Sequence, residues 1–223
     1  MDHLENPSIA KNKAEFVYQT LRTQILSGAY APGTALYIRE LSTQLNVSRT
    51  PVKEAISRLS YEGYVEMLPN RCAIVAPISF SEILELLELR EAVESAAAFY
   101  AAQRRTVGDI AEIVRISEYH RAISADNIEE LAYWDRLFHM AIAKAAYNHV
   151  IYTTLESTFE KLTRISLPIT KDRAKDSIVQ HSAVLEALRS SNGPDARRLM
   201  SEHDQDVLAS VKAYQFQNIH LFK

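Results

Sequence analysis

The sequence predicts a mainly α-helical protein with one small β-hairpin, and three observations favour this fold class. Only 5 of the 223 residues are glycine, well below the usual frequency of about 7%, and a chain with few glycines makes few of the turns that multi-stranded folds need. Apolar residues recur at helical spacing over most of the chain. Strand-like apolar runs occur only at residues 64–68 and 73–76. The last two thirds are therefore expected to form an all-α antiparallel helical bundle.

The composition is that of a protein able to bury a core. Hydrophobic residues make up 47% and charged residues 24% of the chain, which excludes a disordered or collagen-like protein. Cys72 is the single cysteine and cannot form an internal disulfide. The first ten residues lack the apolar segment of a signal peptide, and no apolar run reaches the length of about 18 residues that spans a membrane. We therefore expect no membrane association and a cytoplasmic location.

The first third of the chain predicts three helices followed by a hairpin. Gly28 stands where a helix C-terminal glycine belongs, Ser48 is a favourable N-cap residue, and Pro51 falls in a first helical turn. We expect helices over residues 11–27, 38–45 and about 48–62, and strands over 64–68 and 73–76. Two short helices joined by a tight turn and followed by a hairpin form a winged helix-turn-helix.

The second helix of this pair begins with residues suited to contacts with DNA. The major groove admits one α-helix, and arginine and lysine bind guanine edges or phosphates there. Arg39, at the start of the preceding helix, is placed for a phosphate contact, and Arg71, at the hairpin tip, for a backbone or minor-groove contact. The alternative is a capped surface helix without a nucleic-acid partner. The candidate DNA-binding residues are Arg39, Ser48, Arg49, Thr50, Lys53 and Arg71.

This part of the sequence resembles a known family. The run VSRTPVKEAISRL at residues 47–59, followed by EGYV at 62–65, is similar to the DNA-binding domain of GntR-type bacterial transcription regulators, and ILSG at 25–28 with Pro32-Gly33 matches the same pattern. Lys53 stands where the family usually has arginine, and Cys72 where it usually has glycine. The resemblance implies that residues 1–77 form a winged helix-turn-helix domain that binds double-stranded DNA.

Residues 78–223 are expected to form the second domain, the helical bundle. Ser79 to Glu82 is a capping-box start, a proline at 168 stops one helix and Pro194 opens the last. We expect helices over residues 80–103, 106–123, 126–148, 149–166, 172–191 and 194–220.

Several polar residues lie on the apolar stripes of these helices. They are Asp135, His139, His181 and His203. A buried polar group without a partner costs about 1–3 kcal/mol, so the four residues require a shared explanation. A divalent metal held by three imidazoles and one carboxylate supplies it, and this donor set suits Zn²⁺, Ni²⁺ or Mn²⁺. The alternative for any single histidine is a core side chain satisfied by its neighbours. The remaining histidines of the bundle are interpreted as surface or packing residues: His120, His149 and His220.

Arg90 is a further charged residue on an apolar stripe, in the first helix of the bundle. One interpretation is an arginine whose stem packs while its head pairs with a carboxylate such as Glu94. The other is a bidentate clamp for the carboxylate of a small effector, completed by the metal. The residues alone leave both interpretations open.

The second domain also resembles a known family. The runs WDRLFH at 134–139 and QHSAVLEAL at 180–188, with residues 196–199 and His203, are similar to the FCD effector domain of the FadR-type GntR subfamily, over about residues 79–220. The resemblance implies that the Asp/His/His/His set binds a metal. It also implies that Arg90 lines an effector pocket, to which Asn148 at a helix end contributes.

The leading hypothesis is a ligand-responsive bacterial transcription regulator that binds a palindromic operator as a homodimer, with repression as the family default. A small organic-acid effector beside the metal would act by favouring one arrangement of the two winged helices over another. Two alternatives stay open: a DNA-binding protein whose metal is purely structural, and a metal-dependent hydrolase with an activated water. Because no general base or nucleophile motif accompanies the proposed ligands, we expect a regulator and no enzyme.

Overall fold

The computed structural model describes residues 7–69, 73–77, 79–124, 126–163 and 169–217, with side chains from residue 13 of the first helix, from residue 173 of the next-to-last helix and up to residue 214 of the last. The chain divides into two compact units, Met1–Ile78 and Ser79–Lys223. None of the described helices is both long and apolar enough to cross a lipid bilayer. The hairpin-tip residue Arg71 lies outside the described residues, as do Cys72 and the boundary residue Ile78.

The N-terminal unit contains the predicted helices and hairpin, with one additional strand. Its elements are α1 (Pro7–Leu26), β1 (Ala35–Leu36), α2 (Ile38–Gln44), α3 (Arg49–Tyr61), β2 (Val65–Met67) and β3 (Ala73–Val75). The strands form an antiparallel sheet in the order β1-β3-β2. Ala73 of the central strand β3 pairs with Leu36 of β1 and with Met67 of β2. The sequence did not predict β1, because a strand of two residues carries no periodicity.

The hydrophobic core of this unit lies between α1, α3 and the sheet. Along α1 the side chains of Val17, Leu21 and Ile25 are buried, as their helical spacing predicts. Gly28 adopts a φ of 76°, the left-handed conformation that follows a helix C-terminus. Ser48 occupies the N-cap position of α3, but its side chain makes no capping hydrogen bond, which corrects the expected capping role.

The C-terminal unit consists of six helices in the described residues. They are α4 (Phe80–Arg104), α5 (Val107–Ala122), α6 (Ile128–Ala145), α7 (His149–Thr163), α8 (Ile169–Arg189) and α9 (Gly193–Gln217). Ser79 Oγ accepts a hydrogen bond from the backbone of Glu82, which is one of the two bonds of the expected capping box, and a reciprocal capping box joins Thr106 and Asp109 at the start of α5. Helix α6 ends three residues before its predicted end, since Tyr147 has a φ of 49° and leaves the helix.

Helix α4 packs against α6, α7, α8 and α9, so its buried face lines the interior of the bundle. Large apolar side chains such as Phe138, Ile142 and Leu188 fill that interior. Charged and imidazole side chains are buried there too, on α4, α5, α6, α8 and α9: Arg90, Glu94, His120, His139, His181, His203 and Asp204. The face of α4 is rotated slightly from the prediction, because Glu94 is buried while Val93 is only partly buried.

Candidate functional site

The N-terminal unit exposes basic and hydroxyl side chains at the starts of α2 and α3. Arg39, Ser48, Arg49, Thr50 and Lys53 are all exposed. Within the part of the chain that the structure describes, none of the three basic side chains among them is held in an ion pair. Cations and hydroxyls on the first turns of the second helix of a helix-turn-helix are placed to meet base edges and phosphates.

Arg58, near the end of α3, is engaged very differently. Its guanidinium lies 2.8 Å from Glu15 and 3.1 Å from Glu62 and stacks 3.6 Å above the ring of Tyr18. This arginine therefore ties α3 to α1. The contrast separates a structural arginine from the basic side chains at the other end of the same helix.

Three imidazoles meet inside the C-terminal unit. His139 on α6, His181 on α8 and His203 on α9 are each at most 2% exposed, and one ring nitrogen of each lies within 4.8 Å of the others. Their ring centroids are 4.9, 5.1 and 4.7 Å apart in the three pairs. The structure thus brings together side chains that are 22 to 64 positions apart in sequence.

Asp135 lies at the edge of this imidazole cluster. Its Oδ2 is 3.9 Å from His139 Nε2 and its Oδ1 is 3.6 Å from His181 Nε2. The side chain keeps 27% of its surface exposed. Burial opposes its ionisation, but the imidazoles of His139 and His181 lower its pKa below the ordinary value. Asp135 thus directs one carboxylate oxygen towards each of two rings, and its ligand atom lies within 4.8 Å of those of His120 and His181.

The protonation of the rings matches that of metal ligands. Burial lowers the pKa of His181 and of His203 well below the ordinary value, so both are neutral near pH 7. His203 Nδ1 lies 2.8 Å from Gln180 Oε1, which can only accept, so Nδ1 carries the proton and Nε2 offers a lone pair. His203 Nε2 and both nitrogens of His181 are buried without a hydrogen-bond partner. Neutral rings with unpartnered nitrogens fit a divalent ion well.

His139 is oriented by two charged neighbours. Arg90 Nη2 donates to His139 Nε2 at 2.9 Å. On the other side of the ring, Nδ1 lies 2.9 Å from Glu94 Oε2, although it lacks the alignment of a hydrogen bond. Because arginine can only donate, Nε2 is again the lone-pair nitrogen of the ring. An ion bound to that nitrogen would replace the contact from Arg90.

Arg90 is the centre of a buried ion cluster. Its Nε lies 3.0 Å from Glu94 Oε2 and 3.2 Å from Asp204 Oδ1. Burial alone would raise the pKa of Glu94, but the charge of Arg90 keeps it well below the ordinary value. Burial and the nearby Glu94 carboxylate raise the pKa of Asp204 well above its ordinary value. The structure therefore gives Arg90 the pairing with Glu94 that the sequence offered as one of two interpretations, and adds Asp204.

The comparison with known proteins decides the family. The sequence profile of the FCD domain matches residues 85–206, more than half of the chain, and that of bacterial regulatory proteins of the gntR family matches residues 13–75. The protein belongs to the GntR family and carries an FCD domain. This GntR chain contains both domains that the sequence resemblance implied.

Curated relatives and solved structures agree with this assignment. The GntR chain is 27% identical to the HTH-type transcriptional repressor RspR of Escherichia coli over 97% of its own length and 96% of the relative. It is 26% identical to the Uxu operon regulator of Haemophilus influenzae, over 96% and 89% of the two chains. These relatives and the two domains indicate a transcription regulator and not an enzyme, as expected.

Two solved structures show the same fold. E. coli McbR/YncC has a TM-score of 0.72 at 23% identity and covers 92% of this chain and 99% of its own. A GntR family member from Pseudomonas syringae pv. tomato has a TM-score of 0.55 at 20% identity, over 95% and 89% of the two chains. At these identities the likeness concerns the fold alone, a mainly helical chain with a small sheet.

Asn148, expected near the effector of this FCD domain, caps a helix. Its Oδ1 accepts hydrogen bonds from the backbone of Val150 at 3.0 Å and Ile151 at 3.2 Å, in the first turn of α7. Capping accounts for the side-chain oxygen at this position.

Sequence reasoning missed several side chains of the FCD site. They are His120, Arg173, Gln180 and Asp204, whereas Glu94 was offered as a partner of Arg90. His120, interpreted as a surface or packing residue, is buried and has a ring nitrogen within 4.8 Å of ligand atoms of Asp135 and His181. Glu94 lies four residues after Arg90, which was the available signal. Gln180 precedes His181 on α8 and carried no signal, because its role depends on α9.

Proposed function

We propose that this GntR regulator binds operator DNA as a homodimer, and that a small carboxylate-bearing metabolite bound beside a divalent metal in the FCD domain controls its DNA affinity. The observation that carries the proposal is the set of three buried imidazoles contributed by three different helices, in which His203 Nε2 and both nitrogens of His181 have no hydrogen-bond partner. Since a buried polar atom without a partner costs about 1–3 kcal/mol, a common ligand is the simplest compensation.

The residues that would hold the ion are Asp135, His139, His181 and His203, and Zn²⁺, Ni²⁺ or Mn²⁺ suits them. A divalent ion supplies a Lewis-acidic position for one carboxylate oxygen of the effector. Arg90 Nη2 now donates to His139 Nε2. With that nitrogen engaged by an ion, Nη2 becomes available to the same carboxylate.

The exposed start of α3 supports the DNA-binding half of the proposal. Two recognition helices related by a two-fold axis match a palindromic operator, so a homodimer is the expected assembly. Similarity to RspR, a repressor by name, favours repression, and the FCD domain favours the FadR subfamily. Because a regulator that binds operator DNA acts where that DNA is, the proposal includes a cytoplasmic location.

Native mass spectrometry of freshly purified protein tests the metal and the assembly together. We expect a dimer that carries one divalent ion per subunit. His181→Asn should lose the ion, whereas His149→Asn, at an exposed position of α7, should keep it. A metal-free wild-type protein, or equal metal content in the two variants, would contradict the assignment of the ligands.

A DNA-binding experiment tests the control by an effector. Duplexes selected from a random pool by the metal-loaded protein serve as operator, and fluorescence anisotropy measures their affinity while small carboxylic acids are added. We expect at least one acid to change the affinity through its preference for one arrangement of the dimer. Unchanged affinity with every acid, together with unfolding of the bundle by a chelator, would favour a purely structural metal instead.

A further inference from the structure

Arg173 on α8 is a second arginine beside the imidazole cluster. Its Nη1 donates to Ser210 Oγ on α9 at 3.0 Å, and its Nη2 donates to Gln180 Oε1 at 3.2 Å. Both acceptors are neutral. Its Nε is buried and has no hydrogen-bond partner. Because an unpartnered buried donor is costly, and more so on a charged group, this guanidinium has unused capacity to bind an acceptor.

The two arginines of the site differ in how their charge is balanced. Arg90 contacts two carboxylates, those of Glu94 and Asp204. In contrast, no carboxylate among the described residues lies within ion-pair distance of Arg173. Burial lowers the pKa of Arg173, and the more distant charges of Asp206, Asp176 and Asp135 offset this only in part. The positive charge on α8 is therefore the less compensated of the two.

Gln180 links this charge to the proposed ligands. Its Oε1 accepts from Arg173 Nη2 and lies 2.8 Å from His203 Nδ1, while its Nε2 donates to Asp206 at 2.6 Å. The amide is thus held in one orientation by three contacts. Arg173 is separated from an imidazole of the cluster by a single side chain, and the charges of Asp135 and Arg90 both act on it. The Gln180 side chain therefore joins Arg173 to His203 of the cluster.

We propose that Arg173 forms a second anion subsite of the FCD domain, so that the effector is a small acid with an anionic group at each end. One carboxylate would bind beside the imidazole cluster and Arg90, and the other would accept from the unpartnered Nε of Arg173. This inference rests on the proposed function and makes it more specific, because it names the chemical class of the effector. The unpartnered Nε–H of Arg173 can donate to a second carboxylate, and a monoacid of equal length has no second carboxylate to accept it.

Matched pairs of acids test this subsite. Isothermal titration calorimetry compares succinate with butyrate, and glutarate with pentanoate, on protein loaded with one equivalent of Zn²⁺ per subunit. Each pair differs only in the terminal carboxylate. We expect at least one diacid to bind wild-type protein about tenfold or more tightly than its monoacid partner, as a hydrogen-bonded ion pair would give.

Variants assign the difference to one side chain. Arg173→Gln should abolish the preference for the diacid but leave binding of the monoacid unchanged, and Arg173→Lys should retain part of the preference. Lys175→Gln, which removes an exposed charge from the same helix, should behave as wild type. Zinc content and thermal unfolding establish that each variant keeps the cluster.

The outcomes separate this inference from the proposed function. Equal affinity for diacids and monoacids in the wild type, or a preference that survives in Arg173→Gln, overturns the second subsite while the carboxylate site beside the metal stands. If none of the four acids binds the zinc-loaded wild type, both the subsite and the carboxylate-effector proposal fail. If Arg173→Gln loses zinc, the second subsite is tested by two other measurements. These are the diacid and monoacid affinities of the wild type and the affinities of Arg173→Lys.

Discussion

At the scale of single residues, the site depends on hydrogen bonds that select one form of each ring. His203 donates from Nδ1 to Gln180, and this leaves Nε2 free for an ion. The chain places the amide on α8 and the imidazole on α9, 23 positions away. Sequence periodicity does not predict such a partner, because the sequence pattern of a glutamine next to a histidine is the same on an exposed helix face as on a buried one.

Gln180→Ala should weaken metal binding without removing a ligand. Loss of a residue that orients a metal ligand lowers the affinity by about 10- to 100-fold. The measurement is a competition titration of the zinc-loaded protein with a chromophoric chelator. Gln205→Ala, at an exposed position on α9, is the matched control. Equal zinc affinity in the two variants would mean that the amide does not orient His203.

Arg90→Met should destabilise the metal-free FCD domain strongly. The substitution keeps an apolar stem but leaves the Glu94 carboxylate, whose pKa Arg90 holds low, buried without its cation, a situation that costs about 3–5 kcal/mol. Urea unfolding followed by the fluorescence of Trp134, the single tryptophan, measures the loss.

The control for this substitution is a surface arginine in a similar pair of contacts. Arg198 lies 3.0 Å from Asp195 and 2.9 Å from Glu202, with about half of its side chain exposed. Because water screens these contacts, Arg198→Met should change stability little. If both variants unfolded at the same urea concentration as the wild type, the buried cluster would not contribute to folding as we infer.

At the scale of elements, helical periodicity predicted the helices well. All nine described helices were expected from the sequence, with ends displaced by a few residues. The displacements have local causes, such as the left-handed Tyr147 that ends α6 early. Strand β1 was missed because Ala35 and Leu36 become a strand only by pairing with β3, almost forty residues later. Long-range pairing of so short a segment leaves no local pattern.

Helix α3 should contribute phosphate contacts that can be counted by salt dependence. Lys53→Gln removes an exposed charge from its second turn, so the slope of log affinity against log salt should fall in magnitude by about one per subunit. Anisotropy with a random-sequence duplex at several salt concentrations measures the slope. Lys212→Gln, at an exposed position of α9, should leave it unchanged. A similar fall in both variants would argue against α3 as the DNA-contacting element.

At the scale of the whole molecule, the two units have separate hydrophobic cores, and sequence patterns distinguished them. The sequence pattern of three helices and a hairpin ended near residue 77, and the residues after it showed helical periodicity only. The sequence also singled out the Asp/His/His/His set, because four polar residues in phase with apolar neighbours are unusual. It offered Glu94 as a partner of Arg90 but did not predict Asp204, since carboxylates on helices are ordinarily solvated.

Metal removal should affect the two units differently. An ion that binds only the folded FCD domain stabilises it by about 2.7 kcal/mol when its free concentration is about 100 times the dissociation constant. Dialysis against a chelator should therefore lower the unfolding temperature reported by Trp134 but leave that of the N-terminal unit unchanged. Differential scanning calorimetry resolves the two transitions. Equal shifts of both, or of neither, would contradict a metal site confined to the bundle.

The partial exposure of Asp135 has a consequence for how the ion would arrive and leave. Its side chain is 27% exposed, whereas those of His139 and His181 are 0% and 2% exposed. A hydrated cation coming from bulk solvent would meet this carboxylate first and shed its water there before it reached the rings. The rate of exchange of one ion for another would then be set by the loss of water from the incoming cation, and the helices would stay packed.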